Sequence, residues 1–337
     1  MKAAYDTLKH MQISSWQEDL RLAIKDPLEL LKALQLPATD LVLPTHSVAG
    51  FPVRVPPAFL QKIQFNDISD PLLRQVFPLP EEDGELPGFS NDPLQEVYQT
   101  TVPGVLHKYY GRVLLITTGA CAIHCRYCFR RHYPYTDNNP GRENWRAALD
   151  YIQANTDVTE VILSGGDPLV LADQNLAFLV ERLSRINHLQ RLRLHTRIPV
   201  VLPSRVSQEL VSILTGTRLK PVVVIHSNHP NELDDQAGVT LARLHDAGIT
   251  LLNQAVLLKG INDDAETQCR LSEKLFACNV LPYYLHQLDK VNGTGHFLVD
   301  DVTARSLMTA LRKRLPGYLV PRLVREVPGI PYKTPLL

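Results

Sequence analysis

The rhythm of hydrophobic positions changes near residue 112. Before that point WQEDLRLAIKDPLELLKALQL reads as helix, and proline-punctuated text follows, including LPATDLVLPTHSVAGFPVRVPP and FPLPEEDGELPGFSNDPL. Prolines at this density forbid long helices and central strands, so this part is expected as short helices and loops packed on a larger body. Its acidic run, Glu81, Glu82, Asp83 and Glu85, reads as a solvated loop. From residue 112 onward, short apolar runs alternate with amphipathic ones. RVLLITT, EVILS, LRLHT, VVVIHS, TLLNQAVLL and PYYLHQ have the length and the Val, Ile, Leu and Tyr content of strands.

Helical stripes lie between and after these runs. In NLAFLVERLSRI the apolar positions Leu176, Leu179, Val180, Leu183 and Ile186 keep the three/four spacing of one buried face. NWRAALDYIQAN, SQELVSIL, GVTLARLHDAG, CRLSEKLFACN and TARSLMTALRKRL behave alike. Six strands each followed by a helix predict an α/β fold, a parallel sheet with right-handed crossovers. Such sheets carry chemistry at the carboxyl ends of their strands. The unusual polar residues fall there: CAIHCRYC, SGGDP, His195 and Arg197, His226 to His229, Gln254, and HQLD. One rim should collect them.

Composition narrows the setting. Lys plus Arg and Asp plus Glu number 35 each, which argues against a nucleic-acid binder working through a basic face. No run approaches the roughly 18 apolar residues of a membrane span, and MKAAYDTLKHMQISSW lacks the apolar centre of a signal peptide. Five cysteines are too few and too odd in number for a secreted disulfide framework. A cytoplasmic protein is expected, with no membrane partner. Cys121, Cys125 and Cys128 then stand out as a CxxxCxxC cluster directly after a strand, while Cys269 and Cys278 read as core residues. Clustered thiolates suit soft metals, as zinc or an iron-sulfur cluster. Zinc normally wants a fourth protein ligand, for which His124 and His132 are the nearby candidates. A [4Fe-4S] cluster on three cysteines instead leaves one iron open to a substrate or cofactor.

CxxxCxxC with an aromatic residue before the last cysteine, here Tyr127, resembles the hallmark of the radical S-adenosylmethionine (SAM) superfamily. The resemblance implies a [4Fe-4S] cluster on Cys121, Cys125 and Cys128, with SAM on its open iron, cleaved by one electron to a 5′-deoxyadenosyl radical. Ser164, Gly165, Gly166 and Asp167 match the family's glycine-rich motif beside SAM, and Tyr127 and His226 join them. The implied fold is a partial (β/α)6 TIM-like barrel of radical SAM type with an N-terminal helical and irregular extension. Residues 1–100 would form that extension, 101–320 the core and 321–337 a C-terminal segment.

KYYGRVLLITTGACAIHCRYCFRR, VILSGGDPL, IHSNHPNE, NQAVLLKGIND, PYYLHQLD and a lysine in VPGIPYK narrow the resemblance to the lysine 2,3-aminomutase family. This likeness adds pyridoxal 5′-phosphate (PLP) as a cofactor. Lys333 matches the lysine that carries PLP; Arg112, Tyr109 and Lys108 match the phosphate side, and Gln254 a position near PLP. Arg130 matches the group that binds the substrate carboxylate. Asp289 and Glu326 match the pair that receives the ε-ammonium, Glu326 standing where clostridial members have aspartate. Those members continue into a zinc-binding tail, whereas the present text reaches Leu337 with Asp264 where a zinc cysteine is expected. The REVPGIPYK ending is similar to the short bacterial form, which implies conversion of free L-lysine to (R)-β-lysine, a reductant protein such as flavodoxin or ferredoxin, and handover to an elongation factor P ligase. The alternatives are a radical SAM aminomutase acting on another amino acid such as glutamate, and a non-catalytic zinc or iron-sulfur module.

Overall fold

A computed structural model describes residues 15–37, 43–44, 50–97, 100–135 and 145–336. The stretch read as helical holds two short helices, α1 (Trp16–Arg21) and α2 (Pro27–Ala33). Asp26 and Pro27 make the break. The Asp26 carboxylate accepts from the Leu28 and Glu29 N–H groups, and Pro27 occupies a position where its missing N–H costs nothing. Parts of the proline-rich text that follows lie outside the described residues. A short helix α3 (Pro57–Leu60) follows, with 3-10 turns at Leu73–Gln75 and Pro80–Asp83 beyond it.

Among the described residues ten strands form one sheet whose spatial order follows chain order. β1 (Thr100–Val102), β2 (Val105–Tyr109) and β3 (Arg112–Thr118) are antiparallel neighbours. Then β4 (Glu160–Gly165), β5 (Arg191–Thr196), β6 (Lys220–Ile225), β7 (Thr250–Val256) and β8 (Leu281–His286) continue parallel to β3. These are the six expected strands. β9 (Arg322–Arg325) adds a seventh parallel strand, and β10 (Thr334–Pro335) turns back antiparallel on it. The sheet is an open barrel: its order ends at β1 and β10.

The crossover helices are α4 (Trp145–Ala154), α5 (Asp173–Ser184), α6 (Ile198–Val201), α7 (Gln208–Thr215), α8 (Asp235–Asp246) and α9 (Ala265–Ala277); α10 (Asp301–Arg314) leads to β9. Each long helix buries the stripe read from its spacing. Leu176, Leu179, Val180 and Leu183 of α5 are at most 1 % exposed, worth roughly 1.5–3 kcal/mol apiece. Ser207, Asp234, Asp264 and Asp300 cap helix N-termini by accepting backbone N–H bonds. Asp264 is therefore a cap of α9, bonded to the Thr267 N–H, at the place where a zinc cysteine was expected. Cys269 and Cys278 pack against the core as expected. Among the described residues no helix is long and apolar enough to cross a membrane.

Candidate active site

A cavity of about 250 Å³ lies inside the barrel, and every site residue expected from the sequence lines it. Cys121, Cys125, Tyr127, Cys128 and Arg130 come from the loop after β3. Ser164, Gly165, Gly166 and Asp167 come from the end of β4, His226 from beyond β6, Gln254 from β7 and Asp289 from beyond β8. Lys108, Tyr109 and Arg112 reach in from the β2–β3 hairpin, and Glu326 and Lys333 from the C-terminal segment.

The cysteine loop is held by backbone contacts on two sides. On one side the Gly166 N–H donates to Thr118 O (2.7 Å) and the Asp167 N–H to Ala120 O (2.8 Å). Gly165 has φ +124°, and a Cβ on it would meet Thr118 O at 2.4 Å; a Cβ on Gly166 would meet Ala120 O at 2.2 Å. Both glycines are thus required so that the loop can seat on β4. On the other side, residues of the N-terminal extension grip it. The His124 N–H donates to Arg54 O (3.0 Å), its Nδ1 to Pro52 O (2.7 Å), and the Arg126 N–H to Gln75 O (2.8 Å).

Glu82 corrects the reading of its acidic run as solvated. Only 5 % exposed, it accepts from Arg126 Nε (2.8 Å) and Nη2 (2.5 Å) and from Arg131 Nη2 (2.7 Å). Two buried guanidiniums need such a counter-charge. His124 and His132, the candidate zinc ligands, both bond backbone carbonyls, His132 through Nε2 to Asn292 O at 3.3 Å.

Among the described residues no three His, Cys, Asp or Glu side chains converge on a single-ion site. Three thiols around one cavity match in number and softness a [4Fe-4S] cluster that keeps one iron open. Burial carries the Cys121 thiol well above its ordinary value and Cys128 up to about 11, with neighbouring cysteines adding to both. Metal binding would therefore displace protons.

Asp167 turns its carboxylate toward the chain. It accepts from Thr196 Oγ1 (2.7 and 2.9 Å) and from the Arg197 (2.7 Å) and Leu169 (3.0 Å) N–H groups, tying the ends of β4 and β5. Burial lifts it to about 6. Gln254 Nε2 donates to His226 Nε2 at 2.7 Å, and burial lowers His226 to about 3, so this imidazole is neutral.

The opposite end of the cavity is built from alternating charges. Arg130 Nε and Nη2 donate to Glu96 (2.6 and 3.0 Å). Lys108 Nζ donates to Glu96 Oε1 and to Glu326 Oε1, both 2.9 Å, and Lys333 Nζ to Glu326 Oε2 (2.7 Å). The Lys108–Glu326 bond stitches β2 to the segment after β9 across the gap in the sheet. Burial opposes ionisation of Glu326, yet the Lys333 and Lys108 ammoniums hold it far below the carboxylate range. Asp289 goes the other way: burial, then the Glu326 charge, pushes it to about 7. Arg130 keeps one direction free of Glu96, where Nη1 reaches Ser164 Oγ at 3.3 Å.

Arg112 lies over the Tyr109 ring at 4.7 Å. Among the described residues, His195 Nε2 and His286 Nε2 are buried without a hydrogen-bond partner, and both residues line the cavity. Orphaned polar atoms around a space call for a polar occupant. Such a wall, with Lys108, Arg112 and Lys333 beside it, fits a phosphorylated, carbonyl-bearing cofactor. Sequence reasoning missed Glu96 and left His195, Arg197 and His286 as rim residues without a role.

The radical SAM superfamily model matches residues 115–268, the span from β3 into α9. L-lysine 2,3-aminomutase of Haemophilus influenzae is 48% identical over 320 residues, 95% of this chain and 95% of that protein. The chain belongs to the lysine 2,3-aminomutase family. The Escherichia coli K12 member is 45% identical over 331 residues, covering 98% of this chain and 96% of the relative. The Clostridium subterminale member is 34% identical over 338 residues, covering 99% and 81% respectively. Cys121, Cys125, Cys128, Gly165, Gly166 and Lys333 line one cavity in this member.

Proposed function

We propose that the chain converts L-lysine to β-lysine by radical 2,3-amino migration. It would use a [4Fe-4S] cluster on Cys121, Cys125 and Cys128, SAM beside Tyr127, Ser164, Gly165, Gly166, Asp167 and His226, and PLP on Lys333. The observation that carries this reading is the single cavity joining the cysteine loop to Lys333, Glu326 and Asp289. The names of the relatives, each called L-lysine 2,3-aminomutase, support it.

The hydrogens on lysine C3 are not acidic, so a polar route to amino migration has no handle. Bound here, cluster and SAM supply a hydrogen-abstracting radical, and PLP supplies a π system that delocalises an unpaired electron. The remaining work falls to side chains. Glu326 Oε2, 2.7 Å from Lys333 Nζ, fixes the position of this amine at the cavity wall. Arg112 and Tyr109, with Lys108 beside them tied to Glu96 and Glu326, would hold the phosphate, and Gln254 fixes the neutral His226. Arg130, oriented by Glu96, presents its remaining N–H groups to the substrate carboxylate. Asp289 and Glu326 receive the ε-ammonium. A substrate with a second carboxylate, such as glutamate, would set its charge against this acidic pair.

The (R) configuration, delivery of product to an elongation factor P ligase, and electron supply by a flavodoxin or ferredoxin rest on the likeness of the REVPGIPYK ending to the short bacterial form. Five free cysteines suit a cytoplasmic setting. The test is anaerobic reconstitution with iron, sulfide and PLP, then incubation with L-lysine, SAM and a reductant, with β-lysine enantiomers resolved. Brown protein and (R)-β-lysine are expected. Rearrangement of glutamate and not lysine, or colourless protein with stoichiometric zinc, would overturn the reading.

A further inference from the structure

We infer that Arg197 tunes the reduction of the cluster by donating a hydrogen bond to the Cys125 sulfur. This rests on the reading of Cys121, Cys125 and Cys128 as cluster ligands. Arg197 follows β5 directly and is 5 % exposed. Its Nη1 donates to Cys125 Sγ at 2.8 Å. Nη2 and the backbone hold the guanidinium in place: Nη2 bonds Gln75 Oε1 (2.7 Å) and Glu232 Oε2 (2.9 Å), and the backbone N–H bonds Asp167 Oδ2 (2.7 Å), while Nε has no partner among the described residues. Gln75 and Glu232 are themselves fully buried and pinned. Gln75 Oε1 also accepts from Asn228 Nδ2 (3.0 Å), and Glu232 Oε1 from the Asn228 and His229 N–H groups (2.9 and 3.0 Å). Phe59 and Tyr127 rings flank the guanidinium at 5.3 and 5.7 Å.

Neutralising Arg197 requires only the Glu232 carboxylate. The extra anchor on Gln75, supplied by the N-terminal extension, fixes the direction of Nη1. A buried, immobile cation aimed at one motif sulfur is a device for charge control. A donor to a ligating thiolate withdraws electron density from the sulfur and stabilises the more negative, reduced cluster. The step it favours is uptake of one electron from an external one-electron reductant, with no proton passing to or from Arg197.

The experiment compares reconstituted full-length protein with Arg197→Gln and Arg197→Lys by redox titration, reading the electron paramagnetic resonance signal of the reduced cluster, with iron content measured on each sample. Arg197→Gln is expected to make one-electron reduction about tenfold less favourable, a potential lower by about 59 mV. Arg197→Lys keeps charge but not the fork, and should shift the same way by less. Full iron with an unchanged potential in Arg197→Gln overturns the inference, as does Arg197→Lys behaving as wild type. If Arg197→Gln fails to hold iron, guanidino-¹⁵N arginine in wild-type protein decides: a nitrogen coupling to the reduced cluster is expected, disappearing in Arg197→Lys, and its absence overturns the inference. Wild-type protein with no reducible cluster would bring down the cluster reading instead.

Discussion

The two ends of the cavity are built on different principles. At the cysteine end, position is set by backbone: strand ends, two glycines and residues 51–75 of the extension clamp the loop, and the buried Arg126, Arg131 and Glu82 meet at its back. At the Lys333 end, position is set by charge: Arg130, Glu96, Lys108, Glu326 and Lys333 alternate in sign and hold one another. A resident inorganic group needs ligands that stay put. A substrate that enters and leaves as a zwitterion with an ammonium needs partners that can exchange one counter-charge for another. The contrast teaches that rigidity in this barrel is local and matched to what each end handles.

The sharpest way to break the comparison is to remove one end at a time. Cys128→Ser should abolish iron binding and turnover outright, while PLP absorbance on Lys333 survives. Lys333→Ala should lower kcat at least ~10³-fold, a barrier increase of about 4 kcal/mol, with iron content unchanged. Iron and PLP lost together in either variant would show that the ends are not separable. Glu82→Gln leaves Arg126 and Arg131 short of their counter-charge, and about 3 kcal/mol of stability should be lost on thermal or urea unfolding, with iron retention falling. The smallest effect is a pH dependence at the charged end. Asp289 is pushed up to about 7 by burial and Glu326, so it is neutral below that pH and a carboxylate above it. Lysine KM should therefore rise about tenfold per unit as pH falls from 7 to 5, and Asp289→Asn should flatten the profile. In the ligand-free chain this acid binds more protons folded than unfolded between its ordinary range and about 7. Its contribution to stability thus declines as pH rises through that window.

The parallel strands β3 to β8 were legible because each is a short run rich in Val, Ile, Leu or Tyr with an odd polar residue in it or just after it. β1, β2, β9 and β10 were not: VLHKY and RLVR carry too many charges, and the outer two strands are only three and two residues long. The helical reading of WQEDLRLAIKDPLELLKALQL did not mark the break that Asp26 and Pro27 make in it. At the site, residues whose type is rare in context were visible, namely clustered cysteines and the glycine pair. Glu82, Glu96 and Arg197 were not, because their meaning lies in partners tens of residues away, and a lone carboxylate looks solvated until its arginine is known. Glu96 joins Arg130 from 34 positions back and Lys108 from 12 positions back.

The stitched gap in the sheet also has a kinetic meaning. Because spatial order follows chain order, each strand can add to the one before it by closing a modest loop. The Lys108–Glu326 bond closes a separation of 218 residues, the kind of contact that comes late in folding. The cysteine loop can therefore mature on β3, β4 and β5 before the chain has finished collapsing, whereas the lysine end comes into being only when the last strands arrive. A refolding experiment should see protection of β4 and β5 amides precede the appearance of a PLP-binding site.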